Sequence, residues 1–595
     1  MLHGKKFSDL ESSTTPQAKI KNSIIEYYSL ESADLESYFS KNIQNLPNPF
    51  LLPDFLSSVD LILQKISSQS KILLFGDKDT DGISSTSILG NYLRKIHKGI
   101  LNISNSTSGD DYGLCAPVVK RILNDKPDLL ITLDFGTSNY EEINYLSSQG
   151  IEVIVLDHHE IPVKIPNCKL INPKREDSIY PEKKICTSSI ASKLVLGLLV
   201  YEIIDKSEYY SENLFYDKEK KFRDINIYEL LKKYPDKEKI YYEYLSLSSI
   251  GTITDMMPLR GENRIVLEHG LKSLVQIMNS NETSHLGLKL LLIELKLNPE
   301  KITSKDIGWS IGPVLNAAGR MGKTEIALKL LLSPTEKEAK ENLKLILELN
   351  NERKERTKRN LYKVEEYFKR KPERTSQNIS FCYEPDLEPG VSGIVATRLV
   401  ETYKKPAIFI TPENGEAKGS IRSYSNENVL ELLNLTSDLL LHYGGHKEAG
   451  GFSIQLNKIK EFETKAELLS AEWLKNSIKK VEQKYSAISF SPSEIDEKVF
   501  QVIDEFQPFG LENEEPILSI RDAQIINFKF MGENKHARFN ILGVNPKIKF
   551  VIWNKAYEFN ELLNQSSKIQ IFGILEENFF NKQRTIQFLV KEFYI

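Results

Sequence analysis

Four cysteines are all that 595 residues contain, and Cys115, Cys168, Cys186 and Cys382 form no C-x-x-C pair. That argues against a disulfide framework and a zinc ribbon and points to a reducing compartment. The first residues, MLHGKKFSDLESSTTPQ, lack an apolar stretch, so no secretory leader is expected. Long hydrophobic runs are missing as well. The most apolar segment, ASKLVLGLLVYEII, is short and carries a lysine, so no membrane span is expected and a cytoplasmic location is. Nor is there an excess of basic charge: 78 Lys and Arg stand against 82 Asp and Glu, a net charge of -4. That is not the footprint of a non-specific nucleic-acid coat protein, although charge can still be concentrated locally. No internal repeat or low-complexity tract is found.

What is present is the composition of a folded, multi-domain chain. Charged residues make up 27% and hydrophobic ones 40%, which excludes wholesale disorder. At roughly 100–200 residues per domain, the length suggests about three to five domains. From about residue 55, the apolar runs KILLFGD (71–77), DLLITLD (128–134) and EVIVLD (152–157) alternate with helix-period segments. Such alternation predicts a parallel sheet with helices on both faces. The tyrosine- and lysine-rich stretch 205–245 breaks the pattern and reads as an insertion. Residues 335–371 read as a long basic helix connecting two lobes, with ten Lys and Arg against five Glu between 351 and 374. A second α/β segment follows, and the last hundred or so residues read as short alternating strands of a small β-barrel or sandwich.

The chemistry gathers at strand ends. All three apolar runs finish on an aspartate, Asp77, Asp134 and Asp157, and ligands of open parallel sheets bind beyond the carboxyl ends of the strands. The first run enters G-D-K-D-T-D-G, which adds Asp79 and Asp81; the third enters D-H-H, which adds His158 and His159. Carboxylates and imidazoles drawn from several strands suit a divalent cation such as Mn2+ or Mg2+. A calcium loop is excluded, because Ile88 stands where the bidentate glutamate would be. A single strand-end aspartate can be no more than a helix cap; the cluster is what carries the metal reading.

These motifs resemble the DHH phosphoesterase superfamily and, within it, the RecJ single-strand-specific exonucleases. FGDKDTDG (75–82), LDFGTS (133–138), VLDHHE (155–160) and GTITDMMPLRGENR (251–264) are similar to its catalytic motifs. IGPVLNAAGRMG (311–322) resembles the stretch before its connector helix. GVSGIVATRL (390–399), GSIRS (419–423) and GGHKEAGG (444–451) resemble its DHHA1-type lobe, and EFQPFGLENEEP (505–516) resembles the approach to its OB-fold. The resemblance implies an α/β fold: an N-terminal extension (1–54), a parallel-sheet DHH catalytic domain (55–330, with the insertion at about 205–245), a long connector helix (331–375), a second α/β DHHA1-type domain (376–478) and a C-terminal β-barrel, the OB-fold (490–595).

It also implies roles. Asp79, Asp81, Asp134, His158 and Asp255 match metal ligands for two ions, Mn2+ or Mg2+, with Asp134 suited to bridge them. Asp77 substitutes for a histidine that the superfamily often has at the position of Phe75. His159 matches a residue contacting metal or phosphate, and Asp157 is expected to orient the histidines. Asn316, Arg320, Arg398, Ser420, Arg422, Gly444, Gly445 and His446 match the substrate-binding lobe, and Phe528, Phe530, Lys535, His536, Arg538 and Phe539 offer stacking and charge on the terminal strands. The implied activity is metal-dependent 5′→3′ exonucleolysis of single-stranded DNA to 5′-mononucleotides in recombination and repair. The implied partners are single-stranded DNA, a single-strand-binding protein and a helicase, with no membrane and a monomeric protein. Two alternatives are a small-substrate DHH phosphoesterase acting on oligonucleotides or cyclic dinucleotides, and a catalytically inactive replication scaffold. Two departures are noted: no arginine precedes Tyr112, and Val314 follows Pro313 where an arginine is common. Because every expected metal ligand precedes residue 260, the chemistry is expected to survive loss of the C-terminal domain.

Overall fold

The computed structural model describes residues 16–107, 113–206, 218–413, 415–425, 427–477, 487–580 and 583–595. The segment before Tyr112, with its expected departure, lies outside them, as do residues 207–217 of the expected insertion.

The first sheet contains β1 (Ile72–Gly76), β2 (Leu101–Asn105), β3 (Leu129–Leu133), β4 (Glu152–Leu156) and β5 (Lys169–Ile171), all parallel, in the order β2-β1-β3-β4-β5. Its apolar runs are continuous because both faces are covered. Leu74, Ile131, Leu133 and Ile154 join the large helical core on one side. Leu73, Phe75, Leu130 and Val155 join a smaller core on the other. The strand order reverses between β1 and β3, which opens a crevice at their carboxyl ends.

The helix Thr187–Lys206 crosses the middle of the larger core and packs on helices Thr80–Ile96 and Pro235–Thr254. Its segment Thr187–Ile204 is long and apolar enough for a membrane span by composition, which corrects the expectation that it is too short; 89% of it is buried inside the protein. Its one internal cation, Lys193, is buried 2.7 Å from the equally buried Glu262. Of the stretch expected as an insertion, residues 218–245 are largely helical, and Phe222, Tyr228, Tyr241 and Tyr244 bury their rings in the same core.

The connector helix, Glu336–Arg370, is 35 residues long, about 52 Å at 1.5 Å per residue. Leu343, Ile346 and Leu349 belong to the core of the first lobe, whereas Val364, Tyr367 and Phe368 pack with the second. The second lobe has a mixed sheet in the order β6-β7-β8-β10-β9: β6 (Ser380–Tyr383), β7 (Ala407–Glu413), β8 (Glu416–Arg422), β9 (Leu440–His446) and β10 (Ala449–Gln455). The C-terminal domain has seven strands, β11 (Ile488–Phe490), β12 (Leu518–Ala523), β13 (Ile525–Met531), β14 (His536–Ile541), β15 (Lys549–Ile552), β16 (Ile569–Phe580) and β17 (Gln583–Tyr594), around a core of Phe539, Phe550, Phe559 and Phe588. The N-terminal residues bridge the two ends of the chain: Ile43, Leu46 and Phe50 pack into the catalytic core, and Ile24 into the C-terminal one.

Candidate metal and nucleic-acid site

Each strand-end aspartate extends the sheet by one hydrogen bond before its side chain turns into the crevice. The Asp77 N–H donates to the Leu133 carbonyl (3.0 Å), Asp134 to Leu156 (2.9 Å) and Asp157 to Ile171 (3.2 Å). Asp134 does so in the left-handed region, at φ 73°, a conformation that costs a non-glycine residue about 1 kcal/mol or more and is found at functional sites. Asp79 caps the helix Thr80–Ile96, accepting from the Gly82 N–H at 3.0 Å. Asp81, in the first turn of that helix, accepts from the N–H groups of Thr187 (2.7 Å) and Ser188 (3.0 Å), the first amides of the helix Thr187–Lys206. Thr187 also donates its hydroxyl to Asp134 at 3.0 Å. Asp255 arrives from the C-terminal end of the helix Pro235–Thr254.

The result is one cluster with overlapping donor sets. Asp77, Asp79 and Asp134 form one; Asp81, His158 and Asp255 form another; Asp134, His158 and His159 form a third, and within each set the donor atoms lie within 4.8 Å of one another. Asp134 is shared. His158 Nε2 stands 3.2 Å from Asp134 and 3.3 Å from Asp255. Asp157 belongs to no set, because its carboxylate is already taken: it accepts from the N–H groups of Thr137 (3.0 Å), His158 (2.8 Å) and His159 (3.1 Å), and meets His159 Nδ1 at 2.7 Å.

Electrostatics separate these roles. Burial, followed by the charge of Asp79, pushes Asp77 up to about 7. Burial and neighbouring carboxylates raise Asp81 too, and hold Asp134 and Asp255 well above the usual carboxylate range. Asp157 goes the other way: burial works to raise it, but the His159 hydrogen bond and both imidazoles outweigh that and hold it below the usual value. Burial, with His159 beside it, pushes His158 down to about 3, so its imidazole is neutral and able to ligate. Four repelling carboxylates in a dry site call for a cation. Three buried donor atoms, Asp77 Oδ1, His158 Nε2 and Asp255 Oδ2, have no hydrogen-bond partner among the described residues. Orphans of this kind are rare unless something else satisfies them. The residues therefore fit hard divalent cations with oxygen and imidazole ligands.

Facing the cluster is a cleft of roughly 1280 Å3 between the two lobes. Near the carboxylates, the His159 and His446 rings lie almost parallel across it, centroids 6.3 Å apart. Asn316 Oδ1 accepts from the Thr80 N–H at 3.1 Å, and Gly319 lets the Lys78 carbonyl approach, so the helix Gly312–Arg320 is locked to the Asp79 loop. Arg320, at its end, lines the cleft without an ion pair among the described residues. Its side chain opens into the cleft, where desolvation by the cleft walls, then the charges of Arg353 and Arg422, hold its guanidinium below the usual arginine value. Ser420 lines the cleft too, and Arg422 packs against Gly393 and donates to the Ile421 carbonyl at 2.9 Å. Arg398 is not brought there: it faces solvent, 58% exposed, paired with Glu401 one turn along its helix. Val314 is buried inside its helix and 2% exposed, so this departure has no cleft contact to lose.

The two glycines before His446 differ in kind. Gly445 has φ 140°, and a Cβ there would meet the Ala449 carbonyl oxygen at 2.3 Å, so the backbone itself demands it. A Cβ on Gly444 would meet nothing within 4 Å. Neither packing nor conformation requires glycine at 444; the cleft floor is clear there for a ligand. Gly444→Val is therefore expected to leave the melting temperature unchanged while raising KM for the cleft's substrate about tenfold or more, a loss of roughly 1.4 kcal/mol of binding.

Sequence reasoning missed Arg353, whose buried Nε has no hydrogen-bond partner among the described residues, because it sits in a run of helical charges. It also missed Thr187 and Ser188, although the Thr-Ser-Ser run opening a helix is a cap signal. In the C-terminal domain, the aromatics divide between core and surface. Phe539 is 1% exposed and stacked on Phe550 and Phe559, and Phe528 packs over it, so these rings build core. Phe530 is exposed, beside the more open Tyr557; Trp553, next to His536, is half exposed.

Comparison with known proteins places this geometry. Residues 71–217 match the DHH family N-terminal domain, 376–472 the DHHA1 domain and 486–592 the RecJ OB domain. The single-stranded-DNA-specific exonuclease RecJ of Bacillus subtilis is 28% identical over 549 residues, 92% of this chain and 64% of that one. That of Haemophilus influenzae is 27% identical over 92% of each chain. The crystal structure of RecJ with Mn2+ from Thermus thermophilus shares the fold, with a TM-score of 0.73 at 23% identity over 97% of this chain and 78% of that one. A manganese-bound exonuclease RecJ matches at TM-score 0.55 and 28% identity over 71% of this chain and 95% of that one.

Proposed function

We propose, on the premise that this chain belongs to the RecJ family of DHH phosphoesterases, that it is a metal-dependent exonuclease degrading single-stranded DNA 5′→3′ to 5′-mononucleotides. The observation that carries the reading is the complete donor cluster, Asp77, Asp79, Asp81, Asp134, His158 and Asp255, at the head of a cleft lined by Arg320. These residues would hold two divalent ions, Mn2+ or Mg2+. When bound, such ions polarise phosphoryl oxygens and activate water for in-line attack.

The chain's own residues do the rest. Asp157 fixes the His159 ring through Nδ1, so that Nε2 points away from it toward the cleft. Thr187 and Ser188 fix Asp81 and Asp134. Arg320, Ser420 and Arg422 are placed to grip a terminal phosphate, and the cleared floor at Gly444 admits the nucleotide. A terminal-phosphate grip would make the enzyme an exonuclease, and a cleft narrow enough for one strand would exclude a duplex. An unwound substrate is then required, so a helicase and a single-strand-binding protein are the proposed suppliers to a monomeric enzyme acting in recombination and repair. Phe530, Trp553 and Tyr557 on the C-terminal domain offer stacking surfaces for the incoming strand.

The test compares linear single strands, circular single strands and blunt duplexes at saturating Mn2+. Rapid loss of the linear strand with survival of the other two is expected. Efficient cutting of circles would refute end-bound action.

A further inference from the structure

The loop that carries Asp255 is not held by the catalytic lobe alone. Residues 506–513, which lead into the C-terminal domain, press against it. The Leu259 N–H donates to the Leu511 carbonyl at 2.8 Å, and Arg260 Nε to the Glu512 carbonyl at 3.3 Å. Gly510 sits so close that a Cβ there would stand 2.6 Å from Leu259 Cδ1 and 3.8 Å from Ile253 Cδ1. Ile253 and Leu259 flank Asp255 on either side, and Leu259 is fully buried and cannot swing away.

The lead-in loop is itself rigid. Gly510 and Asn513 exchange backbone hydrogen bonds at 3.0 Å, and Asn513 Nδ2 donates to the carbonyls of Phe506 (3.2 Å) and Pro508 (2.8 Å). Arg264, on the helix that follows the Asp255 loop, is 2% exposed and forms no ion pair with a carboxylate among the described residues. It donates to the carbonyls of Phe506 (2.8 Å), Gln507 (2.9 Å) and Pro508 (3.2 Å), and through Nε to that of Tyr38 (3.2 Å). The Tyr38 ring covers its guanidinium at 4.0 Å. A buried guanidinium satisfied wholly by carbonyls costs more to disturb than a surface ion pair, because each lost acceptor leaves a desolvated donor.

We propose that the 506–513 loop, clamped by Arg264, is a positioning element that sets Asp255 for metal binding, so that the C-terminal domain supports the chemistry as well as the grip on DNA. This rests on the reading of Asp255 as a metal ligand. On this reading a truncation that takes the loop takes the support of Asp255 with it, against the expectation that hydrolysis survives removal of the C-terminal domain.

The test uses the full-length chain with Gly510→Val, which pushes on Leu259 without removing a hydrogen bond. Three quantities are read: Mn2+ binding by titration calorimetry, melting of the metal-free protein, and kcat and KM on an oligonucleotide too short to reach the C-terminal domain. The expected result is Mn2+ binding weakened about tenfold, with kcat falling and KM within about twofold, while melting stays near wild type. Leu542→Ala, on the open face of the same domain, should leave Mn2+ binding unchanged. If Gly510→Val does not fold, Gly510→Ala and Arg264→Lys carry the test with smaller shifts in the same direction. Mn2+ binding and kcat within twofold of wild type in the folded variants would overturn the proposal. A wild-type protein that binds Mn2+ but cleaves nothing would instead refute the nuclease reading, and Mn2+ binding would still decide the role of the loop.

Discussion

Asp134→Asn is expected to lower hydrolysis of single-stranded DNA by about a thousandfold or more, and to raise the melting temperature of the metal-free protein. Both effects have one cause. Asp134 is the carboxylate shared between donor sets, so its loss removes the link that spaces two ions, and the transition-state charge they would stabilise goes with it. In the metal-free protein the same carboxylate is buried among Asp79, Asp81, Asp255 and Asp77, and burial and these charges raise its pKa well above the usual range. Its ionised form is therefore a cost to the fold at neutral pH, and the neutral amide removes that cost. Asparagine is the better test than alanine, because it tolerates the φ of 73° that Asp134 adopts. Activity within tenfold of wild type in Mn2+, or a lowered metal-free melting temperature, would contradict the assignment.

Arg320→Ala is expected to reduce kcat/KM on 5′-phosphorylated single strands by about a hundredfold, near 3 kcal/mol for a charge-assisted contact in a cleft, and to erase the preference for 5′-phosphate over 5′-hydroxyl ends. Arg320 lies among cations: desolvation first, then the charges of Arg353 and Arg422, lower its pKa, and Asp79 pulls it back. A guanidinium with two cationic neighbours and no ion pair among the described residues offers a site for an anion. Stability should not fall, because the substitution relieves repulsion. Loss of activity equal on both kinds of end would show that Arg320 contributes to the general charge of the cleft and not to reading the terminus.

The parts of this architecture legible in the sequence are those where one local signal suffices. β1, β3 and β4 were readable because both faces are buried and each run ends on an aspartate, whereas β2, with its polar LNISN, carried no such signal. The donor cluster was readable because five of its six residues sit at strand ends, in the following loop, or in the D-H-H run. The tyrosine-rich helices after residue 218 were not, since a tyrosine and lysine pattern looks solvated while the rings of Tyr228, Tyr241 and Tyr244 are core. Alternation along β14 shows that Phe539 faces one way but not which way is inward. Arg398 sits within a family-like motif, yet its position on the outer face of its helix pairs it with Glu401. The support of Asp255 by Gly510 and Leu511 joins positions some 250 residues apart, and no local pattern announces such a contact.

The most direct measurement is hydrolysis of one single-stranded oligonucleotide labelled at the 5′ end in one sample and the 3′ end in another, with Mn2+, Mg2+ or EDTA. A metal-dependent, 5′-end-bound exonuclease releases the 5′ label at once as a mononucleotide, shortens the 3′-labelled strand stepwise, and does neither in EDTA. Mononucleotide release from the 3′ end, or undiminished hydrolysis in EDTA, would contradict the account.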